Sequence, residues 1–123
     1  MTQKQLVLYA HGSRDPRWKQ PFEKMLASLQ ESVGATKVSL AYMEMATPTL
    51  TDVARQAAAE GVTELTVLPI FWSAGAHVSQ DIPRIADSVH QEFPNLTMTV
   101  LPPAGEHPKI VDALMQIAAD TVT

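Results

Sequence analysis

The sequence contains no cysteine among its 123 residues. Disulfide bonds, thiolate nucleophiles and cysteine-based metal sites are therefore excluded, and any metal ligand has to be a histidine, a carboxylate or a backbone oxygen. Basic residues are outnumbered as well: 9 lysines and arginines stand against 13 aspartates and glutamates, which gives a formal net charge of -4. This balance argues against a broad surface for nucleic acid or an acidic membrane.

Long hydrophobic runs are also missing. The longest one, residues 67–72, is far too short to cross a bilayer. The amino-terminal stretch MTQKQ leads into an apolar segment without the core of an export signal. These observations predict a cytoplasmic protein with no membrane partner.

Several well-known site motifs are absent. Neither G-x-x-x-x-G-K-[ST] nor G-x-G-x-x-G occurs, which argues against a phosphate or nucleotide binder. H-E-x-x-H and G-x-S-x-G are missing too. Ser13 is a poor candidate nucleophile with His11, because residues two apart on one loop rarely align and no orienting carboxylate is evident.

Apolar periodicity predicts four strands that alternate with four helices. The strands are residues 6–10, 38–42, 67–71 and 96–101, and the continuous apolar runs in the first and third are typical of parallel strands covered on both faces. The helices have apolar residues at helical spacing. These are Phe22, Met25, Leu26, Leu29 and Val33; Leu50, Val53, Ala54, Ala57 and Ala58; Ile82, Ile85, Ala86, Val89 and Phe93; and Ile110, Leu114, Ile117 and Ala118.

Start and stop signals agree with this pattern. Asp15-Pro16 and Thr47-Pro48 each predict an N-cap followed by proline in the first helical position. Gly34 and Gly61 predict the ends of the first two helices. The whole chain, residues 1–123, is thus expected to form one α/β domain. It would be a flavodoxin-like lobe with a four-stranded parallel sheet of order 2-1-3-4 and helices on both faces, and a crevice between strands 1 and 3.

Chemically versatile residues follow the predicted strands. His11 follows the first strand, Glu44 the second, His77 the third and His107 the fourth. Because the carboxyl ends of parallel strands meet at one edge, we expect these residues along a single edge of the sheet. The remaining histidine, His90, falls late in the third helix and is expected to face solvent.

Each of these residues also has a structural explanation. A histidine at a strand end is often a hydrogen-bonding residue, and His77 precedes a plausible helix start, where it could join a capping network. His107 could have a structural role in its loop, and Glu44 could be a solvated carboxylate. Their common edge nevertheless favours His11 and His77 as a functional pair.

Two imidazoles in an open crevice suit a restricted chemistry. Neutral imidazole binds late first-row divalent ions such as cobalt, nickel, iron and zinc. Two protein ligands leave coordination positions vacant. Such a site suits a metal ion that is transferred onward better than one that is held permanently. Imidazole also accepts a proton near neutral pH. Gly12 and Gly75 would let the backbone approach a large flat ligand or take a positive φ.

Two longer segments resemble a known family. H-G-S-R-D-P after the first strand and L-P-I-F-W-S-A-G-A-H-V-S-Q-D-I-P after the third, with 66 residues from His11 to His77, are similar to the small class II chelatases. These are the short sirohydrochlorin cobaltochelatases of the CbiX type, related to sirohydrochlorin ferrochelatase. The resemblance covers essentially the whole chain.

The resemblance implies an activity and an assembly. Such enzymes insert Co²⁺ into sirohydrochlorin without ATP, on the way to cobalamin or sirohaem, and Fe²⁺ or Ni²⁺ are alternatives. His11 and His77 would bind the metal, accept pyrrole protons, or both. No cofactor is implied beyond the substrate metal. The short forms act as homodimers, so we expect a dimer that buries an apolar face near the site.

The carboxylate-rich substrate calls for cations and a flat surface. Arg14, Arg84 and Lys109 are the candidate cations, although each could be an ordinary surface charge. Trp72 could lie against the macrocycle or pack on helices, and Met43 and Met45 fit an adaptable apolar wall. The residues assigned to the substrate are Gly12, Ser13, Arg14, Glu44, Trp72, Ser73, Gly75 and Arg84. The rival reading is a metal- or tetrapyrrole-binding carrier of the same fold without turnover.

Overall fold

A computed structural model describes residues 3–123, and for Ala76 and His77 it describes the backbone only. Strands and helices alternate along the chain. Their bounds are β1 (Lys4–Ala10), α1 (Pro16–Val33), β2 (Lys37–Tyr42), α2 (Leu50–Ala59), β3 (Glu64–Pro69), α3 (Ala76–Glu92), β4 (Thr97–Val100) and α4 (Pro108–Asp120), with a 3₁₀ turn at Ala104–Glu106 before α4.

The four strands form one parallel sheet in the order β2-β1-β3-β4, which confirms the predicted topology. Leu8 in β1 lies opposite Leu40 in β2 and Leu68 in β3. The two central strands are therefore paired on both edges, and the loops that follow β1, β2 and β3 leave the sheet at the same edge. No helix of the described residues is long and apolar enough to cross a bilayer.

Side chains alternate between two apolar layers. On one face, Val7 and Val67 pack with Leu50 of α2 and Val89 of α3. On the other face, Leu8 and Leu40 pack with α1, whose contributors are Trp18, Phe22, Leu26, Leu29 and Val33. This arrangement follows from the period of two in a strand and the apolar stripe of each amphipathic helix.

The last helix differs from the other three. Its apolar residues have the spacing of a helix that covers a core. The structure describes all of its residues, and none of them is buried. It packs on its own chain chiefly against the 3₁₀ turn. The apolar face of α4 is thus left without a partner within one chain.

The first helix begins and ends as the sequence predicts. Asp15 is the N-cap, and its Oδ1 accepts a hydrogen bond from the backbone N–H of Arg17 at 2.9 Å. The Arg17 guanidinium holds the pKa of the Asp15 carboxyl below its usual value. Gly34 ends α1 with a φ of 67°, and Gly61, just after α2, has a φ of 86°. Both values lie in the left-handed region that glycine adopts readily.

The predicted start of α2 was wrong by two residues. The N-cap is Thr49 rather than Thr47, and the bond between Thr47 and Pro48 is cis, outside the helix. Thr49 Oγ1 accepts from the backbone N–H of Asp52 at 3.1 Å, and the Asp52 carboxylate accepts from the Thr49 N–H at 3.0 Å. The hydrogen bond with the Thr49 backbone is the main cause that lowers the pKa of the Asp52 carboxyl, and the hydrogen bond with the Thr49 side chain is the second. This reciprocal pair is a capping box, and it outweighs the single Thr-Pro signal.

Replacing Thr49 tests this helix start. We expect Thr49→Ala to lower the free energy of unfolding by about 1 kcal/mol, because the Asp52 N–H loses its acceptor. Thr49→Ser keeps a hydroxyl and should retain most of the stability. Urea denaturation followed by circular dichroism measures both. A larger loss in Thr47→Ala than in Thr49→Ala would contradict the assignment.

Candidate functional site

The site is organised around the carboxyl end of β1. The backbone N–H of Met43 donates to the carbonyl of Ala10 at 2.8 Å, and that of Ile70 donates to the carbonyl of Tyr9 at 2.8 Å. The segments that follow β2 and β3 are thereby held against the end of β1. His11 is the first residue beyond this junction.

His11 and Glu44 lie next to each other. Nδ1 of His11 is 3.4 Å from Oε1 of Glu44, and the two side chains are 47% and 54% exposed. The separation is that of a close charge contact rather than a short hydrogen bond. A carboxylate facing Nδ1 favours the proton on that nitrogen, which leaves Nε2 with a lone pair for a metal ion or a proton.

Phe71 and Tyr9 support His11 from the apolar side. The rings of His11 and Phe71 are 5.1 Å apart between centroids and tilted by 47°, and the Phe71 ring meets that of Tyr9 edge-on at 6.5 Å. Burial, then the negative charges of Asp81 and Glu44, raise the pKa of Tyr9. The direction of this shift keeps the phenol protonated at neutral pH.

These supporting residues were missed in the sequence. Tyr9 precedes His11 by two positions, so the period of a strand places both on the same side of the chain. Phe71 was assigned to the third strand, but β3 ends at Pro69 and Phe71 belongs to the loop. The strand period could have indicated Tyr9; nothing in the sequence indicates that the Phe71 ring meets His11.

Gly12 lies at a close contact between two loops. Of the two alternatives predicted for Gly12 and Gly75, the positive φ is wrong, because among the described glycines it occurs at Gly34 and Gly61; the close approach to a flat ligand stays a prediction. A Cβ added at Gly12 would overlap the backbone carbonyl of Glu44. Gly12 is therefore required by the contact between the loops after β1 and β2, which brings His11 and Glu44 together.

The two glycines differ in their surroundings. At Gly75, the N-cap of α3 with a φ of -70°, an added Cβ would meet no described atom within 4 Å. Among the described atoms, the space beside this backbone is open, which leaves room for a ligand at the start of α3.

Ser13 and Arg14 follow Gly12 in the same loop. Ser13 Oγ accepts a hydrogen bond from the backbone N–H of Asp15 at 3.1 Å, so it shapes the entry into α1. Arg14 is exposed, as a cation that meets a carboxylated ligand needs to be.

Trp72 and Ser73 lie exposed beyond the end of β3. The Trp72 side chain is 57% exposed. Its backbone is fixed from behind, because Gly105 packs so tightly that a Cβ there would overlap the Trp72 carbonyl, and the Gly105 N–H donates to the Phe71 carbonyl at 3.1 Å. The backbone of Trp72 is therefore fixed, and more than half of its side chain is exposed.

The other polar candidates lie on α3 and at the start of α4. Arg84 lies on α3 with Nη1 3.8 Å from Oδ1 of Asp81. His107 is the N-cap of α4, and its Nδ1 accepts from the backbone N–H of Lys109 at 3.1 Å. This favours the loop role for His107. His90 is exposed near the end of α3, as predicted.

His77 is the second residue of α3. Its side chain lies outside the described residues, so its pairing with His11 stays a prediction. Among the described side chains, no three histidine, aspartate or glutamate groups lie together as a metal site would require. His11 and Glu44 alone form the described part of the candidate centre.

Comparison with known proteins identifies relatives. The CbiX family model matches residues 5–121, which confirms the resemblance inferred from the two motifs. The chain is 35% identical over 80 residues, 65% of its length, to the sirohydrochlorin cobaltochelatase of Methanopyrus kandleri. It is 27% identical over 109 residues, 89% of its length, to the chloroplastic sirohydrochlorin ferrochelatase of Arabidopsis thaliana. The matched parts span only about half of these relatives, 56% and 48%.

Solved structures share the fold. A CbiX protein of cobalamin (vitamin B12) biosynthesis from Marinobacter aquaeolei has a TM-score of 0.83 and 33% identity, with 97% of both chains covered. The sirohydrochlorin chelatase SirB of Bacillus subtilis, solved in complex with cobalt, has a TM-score of 0.81 at 22% identity. The match covers 97% of this chain but 51% of SirB.

Two glycine substitutions test the loop contact. We expect Gly12→Ala to lower the free energy of unfolding by roughly 1–3 kcal/mol, because the added methyl group pushes the Glu44 backbone away. Gly75→Ala is the matched control, and its effect should be close to zero, since it loses a favoured cap residue but also reduces the freedom of the unfolded chain. Urea denaturation measures both. Equal effects at the two positions would show that the contact at Gly12 is not tight.

Proposed function

The chain belongs to the CbiX family, and from that premise we propose that it inserts a divalent metal ion into a sirohydrochlorin-type tetrapyrrole without ATP. The observation that carries the proposal is the contact between His11 and Glu44 at the open carboxyl end of the central strand. The activities named for the relatives from Methanopyrus kandleri and Arabidopsis thaliana support the substrate class.

The pair suits the proton transfers of metallation. Insertion removes two pyrrole protons while a hydrated metal ion loses water. His11 can accept a proton at Nε2, and the Glu44 carboxylate near Nδ1 stabilises the imidazolium that forms. If Nε2 of His11 instead holds the incoming metal ion, the ion would lose water there, and the pyrrole protons would need another acceptor, for which His77 is the candidate. The metal is a substrate in this scheme, so an exposed site with few protein ligands is an advantage.

His77 is assigned as the second histidine of the reaction. It is near the start of α3, and a side chain reaching the crevice from there would supply the ligand or base that His11 cannot supply alone. Trp72 is proposed to lie against the macrocycle, because its indole is largely exposed. Arg14 and Arg84 are proposed to meet substrate carboxylates, although the contact with Asp81 leaves Arg84 less available.

Co²⁺ is the proposed metal, with Fe²⁺ and Ni²⁺ as alternatives. Imidazole and carboxylate accept all three ions, and affinity alone would not select cobalt. The Methanopyrus relative is named for cobalt and the Arabidopsis relative for iron. A cytoplasmic location and a homodimer belong to the same proposal. The dimer is supported by the half-exposed site, which a second lobe would help to enclose.

A metallation assay tests the proposal. Absorbance should show that the protein accelerates Co²⁺ insertion into sirohydrochlorin, and His11→Ala should reduce kcat by about 100-fold or more, as loss of a general base does. Glu44→Gln and His77→Ala should also reduce kcat. His90→Ala is the matched control, because this exposed histidine lies near the far end of α3, and it should retain full activity.

The same assay separates the enzyme from a carrier. Tight binding of metal and tetrapyrrole with an insertion rate equal to the spontaneous rate would support a carrier and contradict catalysis. Parallel reactions with Fe²⁺ and Ni²⁺ identify the metal, because the preferred ion should give the highest kcat/KM.

A further inference from the structure

The outer edge of β2, the side that faces away from β1, is one end of the sheet. Among the described residues, no strand pairs with it. A free edge exposes backbone N–H and C=O groups that a strand of another molecule can bind. A groove of about 650 Å³ follows this edge between α1 and α2, and Val38, Ser39 and Leu40 are among the residues that line it. The edge is therefore accessible from outside.

The backbone groups of Val38, Leu40 and Tyr42 point to this outer edge. The N–H of Val38 donates to Oε1 of Gln30 at 2.9 Å, and that of Tyr42 donates to the carbonyl of Pro48 at 2.8 Å. Neither acceptor belongs to β1, and N–H groups two residues apart in a strand point to the same side. Leu40, midway between them, therefore presents its N–H and C=O to the groove.

The side chain of Gln30 occupies the first part of the outer edge. Its Oε1 accepts from the Val38 N–H, and its Nε2 donates to the carbonyl of Thr36 at 2.8 Å. A residue of a neighbouring parallel strand would make the same pair of bonds, one on each side of Lys37. The carboxamide thus takes the place of a strand residue, although it belongs to α1.

A role in holding the loop between α1 and β2 is the simpler explanation of this contact. Nε2 of Gln30 also donates to the carbonyl of Gly34 at 3.1 Å, which fits that explanation. Holding the loop accounts for the bonds that Nε2 donates. It does not require the bond from the Val38 N–H, which comes from within the strand and satisfies a group of the outer edge.

The far end of the outer edge is closed by the main chain. Beyond the hydrogen bond from Tyr42 to Pro48, Tyr42 and Thr49 form an isolated parallel bridge. Between the two closed ends, the outward groups without a described partner are the C=O of Val38 and the N–H and C=O of Leu40. This stretch is much shorter than a typical strand of about five or six residues.

The charges along the groove are of both signs. Lys19 and Lys37 line it together with Glu23 and Asp52. Nζ of Lys37 is 3.1 Å from Oε2 of Glu60, so this lysine is already paired. Opposite charges on two copies can pair across an antiparallel contact, so these side chains do not by themselves close the edge to a second copy.

We propose that the outer edge of β2 is a surface for pairing with β2 of a second copy, and that the Gln30 carboxamide keeps it closed. Two identical edges are self-complementary when they run antiparallel about a two-fold axis. Loss of the carboxamide frees the Val38 N–H and the Thr36 C=O, which lengthens the stretch that can pair. The proposal depends neither on the metallation activity nor on the proposed homodimer.

Replacing Gln30 tests the closure. Gln30→Ala should sediment as assemblies of at least twice the wild-type mass, because the freed edge pairs with that of another molecule. Gln20→Ala is the matched control, since it makes the same change at an exposed position of α1, and it should sediment like the wild type. A Gln30→Ala variant with the wild-type mass at the same concentration would overturn the proposal.

A lysine at the same position separates an open edge from a weakened fold. Gln30→Lys also removes the acceptor of the Val38 N–H, so it loses the same bond as Gln30→Ala. A charged side chain at a sheet edge opposes strand addition, however. Gln30→Lys should therefore keep the wild-type mass. If it assembles to the same extent as Gln30→Ala, association follows from destabilisation and the proposal is refuted.

Amide hydrogen exchange examines the same edge without relying on a variant. In the wild type, the Val38 N–H should exchange several-fold more slowly than the Leu40 N–H, because Val38 has an acceptor and Leu40 has none among the described residues. In assembled Gln30→Ala, the Leu40 N–H should become several-fold slower, since the second copy supplies its acceptor. Equal exchange of the two amides in the wild type, or unchanged exchange of Leu40 on assembly, would contradict the proposal.

Discussion

Strand β1 is hydrogen-bonded to β2 on one side and to β3 on the other, and the arrangement of the site depends on this central position. Because all three strands are parallel, their carboxyl ends are brought to one edge. The backbone bonds from Met43 and Ile70 to the last two residues of β1 continue the pairing past the strands. His11 therefore leaves the sheet between two loops whose positions are already set.

The contact between these loops leaves little space. Gly12 lets the backbone of the first loop approach the carbonyl of Glu44, and Gly105 lets the last loop approach Trp72. Because neither glycine has a side chain, the backbones of Glu44 and Trp72 can lie in direct contact with Gly12 and Gly105, respectively, and these contacts fix the positions of the two candidate residues. The side chains of His11 and Glu44 stay about half exposed, as the proposed exchange of a metal ion and a tetrapyrrole with solvent requires.

The fold and the site were predictable from the sequence to different degrees. Continuous or alternating apolar runs indicated the four strands and helical spacing indicated the four helices, since these patterns are local properties of the chain. The start of α2 was misplaced because Thr47-Pro48 is a common signal, whereas the Thr49–Asp52 capping box is a stronger one. The motif around His11 indicated a site, but the ring of Phe71 against the imidazole depends on how far β3 extends.

The sequence by itself determined the alternation of strands and helices, the common edge of His11 and Glu44, the family and the amphipathic character of α4. These follow from residue order, because periodicity and motifs are written along the chain. Only the tertiary structure decided that the Glu44 carboxylate faces Nδ1 of His11, that Gly12 is required by a backbone carbonyl, and that the apolar face of α4 has no cover in its own chain. The physical reason is that an apolar stripe specifies burial without specifying the surface that provides it, and that surface is defined only when distant segments pack in space.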